Sequence, residues 1–473
     1  MANRGGSLGG VFHRECIADL KQWFALPRGE AKPLLLRGAR QVGKSTLVRL
    51  FAASQKLKLV ELNLEKEARF RKIFEEENFS DVVLALEMQL GVNFSDRKLL
   101  LFIDEIQRVP KAIEYLRYFY EDYPGVRVIA AGSLLDFALT QEKLTMPVGR
   151  IQYHFVSPLT FLEFLEATGA SRVAGFLAKF ELGMTIPSTV HETCLKALRE
   201  YYLVGGMPEA VGCWAKYRDF ARVSAVLHNI LDTYRDDFSK YASGKELVRI
   251  QLIFDRIPAQ VGRKVKYSEL DPLTHARDLR HALDTLAKAR VLRKVHHSSC
   301  SSLPLQAGIE ELVYKLYALD VGLMNVVLGV DLAQLERARG DGLLDFGAMA
   351  EQVVVQNLQA SSRAQDLPLV YWLREAKQSN AELDFVMSFG SEIIPIEVKS
   401  GKSGSLKSLQ QFMATKKCRR ALRFDLNQPT IAHVKHDVIT PKGTKTVEFD
   451  LLSLPLYLSS EARRIVGRQM GLL

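Results

Sequence analysis

Residues 38–45 read Gly-Ala-Arg-Gln-Val-Gly-Lys-Ser, an order of residue types that suits phosphate binding. An apolar run at 34–36 precedes them and a helical pattern at 46–53 follows, which is the strand, loop and helix context that a P-loop requires. The glycines let backbone N–H groups face phosphates, Lys44 would reach the β- and γ-phosphates, and the Ser45 hydroxyl would ligate magnesium. We therefore predict a site for ATP and Mg²⁺. The predicted nucleotide contacts are Gly38, Ala39, Arg40, Gln41, Val42, Gly43, Lys44, Ser45 and Thr46.

An acidic pair at the end of another apolar run would complete this site. Residues 99–103 are apolar and lead directly into Asp104 and Glu105. Parallel α/β sheets bind ligands beyond the carboxyl ends of their strands, so a buried strand here would deliver both carboxylates to the nucleotide. We expect Asp104 to hold magnesium through water and Glu105 to polarise the attacking water. An Asp-Glu pair alone is often a solvated turn, but the upstream P-loop favours the catalytic interpretation.

Two further residues are candidates for contact with the γ-phosphate. The apolar run at 126–130 ends close to Ser133, whose hydroxyl could sense that phosphate from a neighbouring strand. An equally good interpretation is a Gly-Ser turn that caps the next helix. Arg150, in Val-Gly-Arg at 148–150, is the best candidate for an arginine that stabilises transition-state charge. It could also be an ordinary surface arginine.

The carboxyl-terminal region has a second group of acids with a lysine. Asp384 lies in one predicted strand, and Glu397 and Lys399 lie in the next, where alternation points both to the same face. Carboxylates bind a hard cation and a lysine can activate water, with Glu351 on the preceding helix as third acid. The pattern resembles that of PD-(D/E)XK nucleases, with Glu351, Asp384 and Glu397 as metal ligands and Lys399 as a catalytic residue. The alternative is a solvated strand face in a domain that only binds.

The middle of the chain has the order of a winged helix. A short helix at 268–270 leads through a proline to a longer helix at 277–289, and an apolar strand-like run at 291–295 follows. The second helix of such a unit can enter a major groove of DNA, or the unit can serve only packing or protein contact. Basic side chains that could contact phosphates are Arg277, Arg280, Lys288, Arg290, Arg293 and Lys294.

The elements that must position these residues follow from the hydrophobic pattern. Short apolar runs at 34–36, 59–63, 99–103 and 126–130 alternate with helical stretches, which indicates a parallel sheet covered by helices. Helical periodicity dominates from about 166 to 240. A helix after residue 346 precedes three predicted strands at 369–373, 383–387 and 393–399. The predicted fold class is α/β with several domains, since 473 residues exceed one ordinary core.

Composition limits the partners and the compartment. A net charge of +10 suggests a polyanionic partner, of which nucleic acid, and DNA in particular, is the expected one. No apolar stretch reaches the length of a membrane helix, and residues 1–10 lack the apolar core of a signal peptide. Five scattered cysteines fit neither a disulfide framework nor a zinc site. We therefore expect a cytoplasmic protein without membrane contact.

Taken together, these motifs resemble the prokaryotic AAA-type ATPases that carry a C-terminal DUF4143 domain. Shared segments are those at 38–45, 103–107, 131–133, 148–150, 157–165 and 205–209. The resemblance covers about 33–450 and implies an AAA core, a helical lid, a winged-helix module and a restriction-endonuclease-like end. The stretch 170–190 departs from the family pattern. The implied divisions are 1–30 (tail and helix), 31–165 (P-loop core), 166–240 (lid), 241–335 (winged helix) and 336–473 (nuclease-like domain).

Three functions fit these features. The leading hypothesis is an ATP-hydrolysing protein that handles nucleic acid through the winged helix and the nuclease-like domain. The second is a regulatory or scaffold protein in which the ATP state gates a protein interface and the terminal domain binds without cleaving. The third is a nuclease whose ATPase part controls assembly. AAA domains often form rings, so a homo-oligomer is compatible with each, but no residue specifies the interface.

Overall fold

The computed structural model describes residues 12–76, 78–132, 147, 149–240, 242–330, 347–374, 381–416, 418–440 and 443–472. Contacts between Cα atoms divide the chain into two compact units. The first unit comprises residues 1–157 together with the short segments 288–290 and 362–366. The second unit comprises the remaining residues.

The first unit alternates strands and helices along the chain. Its strands are β1 (Leu34–Arg37), β2 (Lys58–Asn63), β3 (Leu99–Asp104), β4 (Arg127–Ala131) and β5 (Gln152–Phe155). Its helices are α1 (Cys16–Ala25), α2 (Lys44–Ser54), α3 (Ala68–Phe74), α4 (Phe79–Leu90) and α5 (Pro110–Glu121). The four strands predicted from apolar runs are confirmed, whereas β5 is an additional strand whose half-polar sequence gave no signal.

All five strands pair in parallel, in the order β2-β3-β4-β1-β5. The interior strand β3 is buried along its whole length, as expected for a strand covered by helices on both faces. A large apolar cluster joins the sheet to the helices, with Phe70, Leu86 and Phe119 among its fully buried members. The mixed α/β fold with a parallel P-loop sheet is therefore confirmed. Because the strands are parallel, their carboxyl ends all meet at one edge.

The second unit begins with a helical region and has further helices along the rest of its length. Its helices are α6 (Phe161–Ala167), α7 (Ser171–Leu177), α8 (Ser188–Val204), α9 (Pro208–Tyr217), α10 (Phe220–Phe238), α11 (Gly244–Arg256), α12 (Tyr267–Leu270), α13 (Ala276–Lys288), α14 (Val321–Val327), α15 (Gly347–Ala360), α16 (Lys407–Thr415) and α17 (Ala462–Gln469). A capping box fixes the start of α6, where Thr160 Oγ1 accepts from Glu163 N and Glu163 Oε2 accepts from Thr160 N.

A single eight-stranded sheet organises the rest of this unit. Its strands are β6 (Leu292–Ser298), β7 (Ile309–Ala318), β8 (Val370–Arg374), β9 (Ala381–Phe389), β10 (Glu392–Val398), β11 (Arg420–Asp425), β12 (Thr430–Thr440) and β13 (Gly443–Pro455). The order is β12-β13-β11-β10-β9-β8-β6-β7. Strands β8, β9 and β10 confirm the three strands predicted for the carboxyl-terminal region.

Strand pairing in the second unit crosses a predicted domain boundary. Strand β6 pairs in parallel with β8 at His296–Val370 and His297–Tyr371, so strands on both sides of residue 335 belong to one sheet. The predicted regions 241–335 and 336–473 thus share one sheet, and their division into two domains stays a prediction. Pairing between strands more than 70 residues apart leaves no local pattern in the sequence.

A buried carboxylate ties distant parts of the second unit together. Asp320 is fully buried and precedes α14, where its Oδ1 accepts from the backbone N–H groups of Gly322 and Leu323. Its Oδ2 accepts from Gly206 N at 2.6 Å and from Gln356 Nε2 at 2.8 Å. One side chain thus joins the start of α14 to the Gly-Gly segment after α8 and to α15.

The other expectations from composition can be stated briefly. No helix among the residues that the structure describes combines the length and the apolar character needed to span a bilayer. All five cysteines fall within the described ranges, and none of them forms a disulfide there.

Candidate functional site

The P-loop occupies the carboxyl end of the five-stranded sheet. It connects the end of β1 to α2, which begins at Lys44. A Cβ atom at Gly38 would lie 2.2 Å from the carbonyl oxygen of Val156, so only glycine fits there. Gly43 has φ +90° in the left-handed region that favours glycine. Both glycines are therefore required by the backbone path, and the predicted contacts from Gly38 to Thr46 form one continuous loop and first helical turn.

Lys44 is held inside this loop. Its side chain is buried, and Nζ donates to the carbonyl oxygens of Gly38 at 3.0 Å and Ala39 at 2.8 Å. Burial lowers the pKa of Lys44 to about 8, although the carboxylates of Glu105 and Asp104 oppose that shift. The ammonium group thus lies among the backbone groups that are predicted to bind phosphate. Because its pKa is about 8, its charge changes with pH just above neutrality.

The acidic pair lies next to the P-loop serine. Ser45 Oγ donates to Asp104 Oδ2 at 2.8 Å, and Asp104 is buried at the end of β3. Burial raises the pKa of Asp104, while the hydrogen bond from Ser45 works in the opposite direction. A hydroxyl and a carboxylate in contact are the two protein ligands that a magnesium–triphosphate complex uses in P-loop proteins. The residues present therefore fit such a complex.

Glu105 follows in a special backbone conformation. Its φ of +53° is uncommon for a residue other than glycine, and its N–H donates to Asp104 Oδ1 at 3.0 Å. Gln107 Nε2 donates to Glu105 Oε2 at 2.6 Å and so fixes the orientation of the carboxylate. The backbone at Glu105 therefore turns out of the direction of β3, and Glu105 stays next to Asp104.

Nucleotide affinity is expected to fall at alkaline pH because Lys44 loses its charge there. Because the pKa of Lys44 is about 8, each pH unit above that value should weaken binding of a non-hydrolysable ATP analogue by about tenfold. Affinity should be nearly constant below pH 7, where the lysine is fully protonated.

Isothermal titration across this pH range measures the effect, and Lys44→Arg supplies the control. Arginine keeps its charge throughout, so its weaker affinity should not change with pH. A flat wild-type profile would contradict the assignment.

The two γ-phosphate candidates have different outcomes. Ser133 lies outside the described residues. Arg150 immediately precedes β5, at the edge where the strands begin, and its Nε is 2.6 Å from Glu121 Oε1 at the end of α5. Asp104 ends β3 at the opposite edge of the same parallel sheet. Arg150 and Asp104 therefore lie at opposite edges of this sheet, which residue order alone did not reveal, and a role for Arg150 in stabilising charge stays a prediction.

A residue that the sequence did not single out supports the P-loop. Arg14 is buried, and it donates from Nη1 to the carbonyl oxygen of Val42 at 3.1 Å and from Nη2 to that of Ser157 at 2.7 Å. It thereby joins the phosphate-binding loop to the chain just after β5. A single arginine before a helix carries no recognisable signal, so only the fold reveals this role.

The predicted carboxyl-terminal residues are brought close together in the second unit. Lys399 Nζ is 2.5 Å from Glu397 Oε1, and Asp384 Oδ2 accepts from the backbone N–H of Val398 at 2.7 Å. Burial raises the pKa of Asp384, and burial together with the charge of Asp384 raises the pKa of Glu397 to about 7. Burial likewise raises the pKa of Glu351 to about 7. The structure therefore brings these residues together, with Glu397 buried and Glu351 and Asp384 partly buried.

Two residues absent from the prediction also belong to this group. Lys315 on β7 is fully buried, with Nζ 2.5 Å from Glu382 Oε1 and 3.5 Å from Glu351 Oε2. Burial alone would lower the pKa of Lys315, but Glu351, Asp384 and Glu382 raise it above its ordinary value. Within the described ranges, no three His, Cys, Asp or Glu side chains are arranged as a metal-ligand set. The predicted metal site therefore contains a protein cation.

The basic residues around α13 divide into two sets. Lys294 Nζ is 2.6 Å from Asp284 Oδ1, and Arg280 Nη2 is 3.8 Å from Glu311 Oε2. Arg290 pairs with Asp366, and Arg293 donates to the carbonyl oxygen of Leu367. Arg277 and Lys288, in contrast, have exposed side chains. Four of the six candidates are thus engaged within the protein, and two face solvent.

Models of three protein families match successive segments of the chain. Residues 30–165 match the family described as an AAA domain (AAA_14). Residues 195–334 match a domain of unknown function, DUF8612, and residues 346–447 match another, DUF4143. No curated protein has a matching sequence.

Several solved structures resemble parts of the fold at low sequence identity. The Walker-type ATPase PABY2304 of Pyrococcus abyssi is 17% identical, with a TM-score of 0.43, over 67% of this chain and 96% of that one. The RuvB Holliday junction branch migration motor of Thermotoga maritima is 18% identical, with a TM-score of 0.30, over 60% and 90%. PCH-2 of C. elegans is 16% identical, with a TM-score of 0.27, over 44% and 63%.

Proposed function

We propose, on the premise that the chain belongs to the AAA-type P-loop ATPases with a C-terminal DUF4143 domain, that it hydrolyses ATP with Mg²⁺ and handles nucleic acid. The observation that carries the first part is the contact of Ser45 with Asp104, beside the buried ammonium of Lys44. These groups would bind the phosphates and their metal ion, while Glu105 would accept a proton from the attacking water. Magnesium, when bound, would neutralise charge on the phosphate oxygens.

Support for nucleic acid as the partner comes from charge. The whole chain carries a net charge of +10, and Arg277 and Lys288 present exposed cations at opposite ends of α13. The order α12, α13, β6 and β7 is that of a winged helix, in which the second helix approaches DNA. We propose DNA contact through this helix, with phosphates as the main ligands. The other four basic residues would then position the helix through their contacts inside the protein; they are Arg280, Arg290, Arg293 and Lys294.

The test measures ATP hydrolysis and DNA binding in one series. Duplex DNA should stimulate hydrolysis by the wild type, whereas Lys44→Ala should hydrolyse ATP at background rate in either condition. Arg277→Glu with Lys288→Glu should weaken DNA binding and reduce the salt dependence of the logarithm of affinity by about 2, since each lost phosphate contact removes about 0.9. Basal hydrolysis without DNA should stay unchanged in that double variant.

A control with the same change of charge separates contact from general electrostatics. Lys58 and Lys98 are exposed at the edge of the first sheet where its strands begin. Lys58→Glu with Lys98→Glu should therefore leave the salt dependence nearly unchanged. If both double variants behave alike, or if DNA neither binds nor stimulates hydrolysis, the nucleic-acid part of the proposal is wrong while the ATPase part stands.

A regulatory protein is the second candidate. It is favoured by Lys315, whose ammonium lies among the carboxylates of Glu351, Glu382 and Asp384. In that case the ATP state would gate a protein interface, hydrolysis would be slow and indifferent to DNA, and a partner would bind in one nucleotide state only. A homo-oligomer is compatible with both candidates. Arg150 has a half-exposed side chain at the edge opposite Asp104, so it would stabilise charge on a nucleotide only if a second copy of the chain supplied that nucleotide.

A further inference from the structure

The acid group of the second unit is built around the ammonium of Lys315. This lysine enters from β7 and is completely buried. Its Nζ lies 2.5 Å from Glu382 Oε1, 3.5 Å from Glu351 Oε2 and 4.0 Å from Asp384 Oδ1. Three carboxylates from two different elements, β9 and α15, thus converge on one cation that belongs to the protein.

Each of the four acids already has one oxygen atom in contact with an N–H or O–H group of the protein. Tyr317 OH donates to Glu351 Oε2 at 2.7 Å, the backbone N–H of Val398 donates to Asp384 Oδ2 at 2.7 Å, and Lys399 Nζ contacts Glu397 Oε1 at 2.5 Å. Among the described residues, Glu397 Oε2 is the buried carboxylate oxygen of this group that has no hydrogen-bond partner. A Mg²⁺ ion would have to displace these protein donors to gain the several oxygen ligands that its near-octahedral geometry requires.

Charge leads to the same conclusion as geometry. The group contains four acids, Glu351, Glu382, Asp384 and Glu397, and two lysines, Lys315 and Lys399. The two ammonium groups offset two of the four carboxylate charges, and a buried ammonium within 4 Å of three of the carboxylates would repel a divalent ion placed among them. Lys315 and Lys399 each lie within ion-pair distance of at least one carboxylate, and pairing of this kind offsets the cost of burying a charge.

We infer that the ammonium of Lys315 takes the position that a divalent cation would hold in this acid group, so that the second unit binds its partner without metal-dependent cleavage. The inference deepens the proposed function, because it assigns the carboxyl-terminal part to binding. It does not depend on the nucleotide site, which lies in the other unit. Lys315 is thereby a structural counter-ion, and Lys399 is the partner of Glu397.

The test counts bound Mn²⁺, a paramagnetic substitute for Mg²⁺, in nucleotide-free full-length protein by electron paramagnetic resonance. Wild type should bind the same number of ions as Asp384→Asn with Glu397→Gln, because the predicted ligands hold none. Lys315→Met should gain one ion, and Mn²⁺ should raise its unfolding temperature although it leaves that of the wild type unchanged. Wild-type protein should not cleave DNA with Mn²⁺.

Two further variants make the outcome decisive. Lys294→Met removes another lysine with little exposure, which pairs with Asp284 on the neighbouring helix, and should gain no ion. Lys315→Met with Glu382→Gln removes the closest ion pair together, so it should fold even where the single variant does not, and should still gain one ion.

The inference is overturned if wild type binds an ion that Asp384→Asn with Glu397→Gln loses, if wild type cleaves DNA, or if neither Lys315 variant gains an ion. ATP hydrolysis, measured on the same samples, reports separately on the proposed function of the first unit.

Discussion

Glu105→Gln is expected to lower the rate of ATP hydrolysis by about 10²–10³-fold while ATP binding is retained. The glutamine keeps the shape of the side chain and can still pair with Gln107, but it does not take a proton from water. Asp104 and Ser45 would be untouched, so the phosphate and metal contacts should persist. Single-turnover hydrolysis and the equilibrium affinity for ATP, measured on the same sample, separate the two effects.

Glu114→Gln is the matched control for this prediction. Glu114 is an exposed acid on α5, and the same change of charge there should leave both rate and affinity unchanged. Two results would contradict the assignment of Glu105 as the residue that activates water. One is turnover at the wild-type rate, and the other is a loss of ATP binding that accounts for the lower rate.

Asp320→Ala is expected to destabilise the second unit by about 3–5 kcal/mol. The change leaves the N–H groups of Gly206 and Gly322 and the amide of Gln356 buried without their acceptor. Unsatisfied buried donors each cost roughly 1–3 kcal/mol, and the costs within one network are not additive. Denaturant unfolding followed by circular dichroism measures the loss.

Asp219→Ala provides a comparison between a buried and an exposed cap. Asp219 also precedes a helix, α10, and accepts from the backbone N–H groups of Ala221 and Arg222, but its side chain is exposed. Its removal should cost only about 1 kcal/mol. Equal losses in the two variants would show that the links from Asp320 to Gly206 and Gln356 contribute little.

The nucleotide site was predictable because its information is local. The glycines, Lys44 and Ser45 are consecutive, and the backbone path of one loop determines which of them must be glycine. Asp104 and Glu105 needed one further step, the rule that parallel strands end at a common edge. The same rule could be applied to Arg150 only if β5 were known to start shortly after that arginine. The half-polar sequence of β5 does not indicate a strand, so this information was missing.

Contacts made across the sheet were not predictable. Lys315 occurs in Tyr-Lys-Leu-Tyr, where a single lysine is typical of a solvent-facing position on an edge strand. Its neighbours Glu351 and Asp384 are 36 and 69 residues away in the sequence, and no spacing rule connects them. Arg14 is separated from Val42 by 28 residues. In each case tertiary packing determines the role of a residue whose local pattern is ordinary.

The pairing of β6 with β8 has a practical consequence for dissecting this protein. A fragment ending near residue 335, or one beginning there, would leave the paired stretch of one strand, at His296 and His297 or at Val370 and Tyr371, without its neighbour. Exposed strand edges of that kind recruit other chains and promote aggregation. Binding activities measured on such truncations would therefore report on misfolded material, and point substitutions in the intact polypeptide are the sound way to assign roles within the second unit.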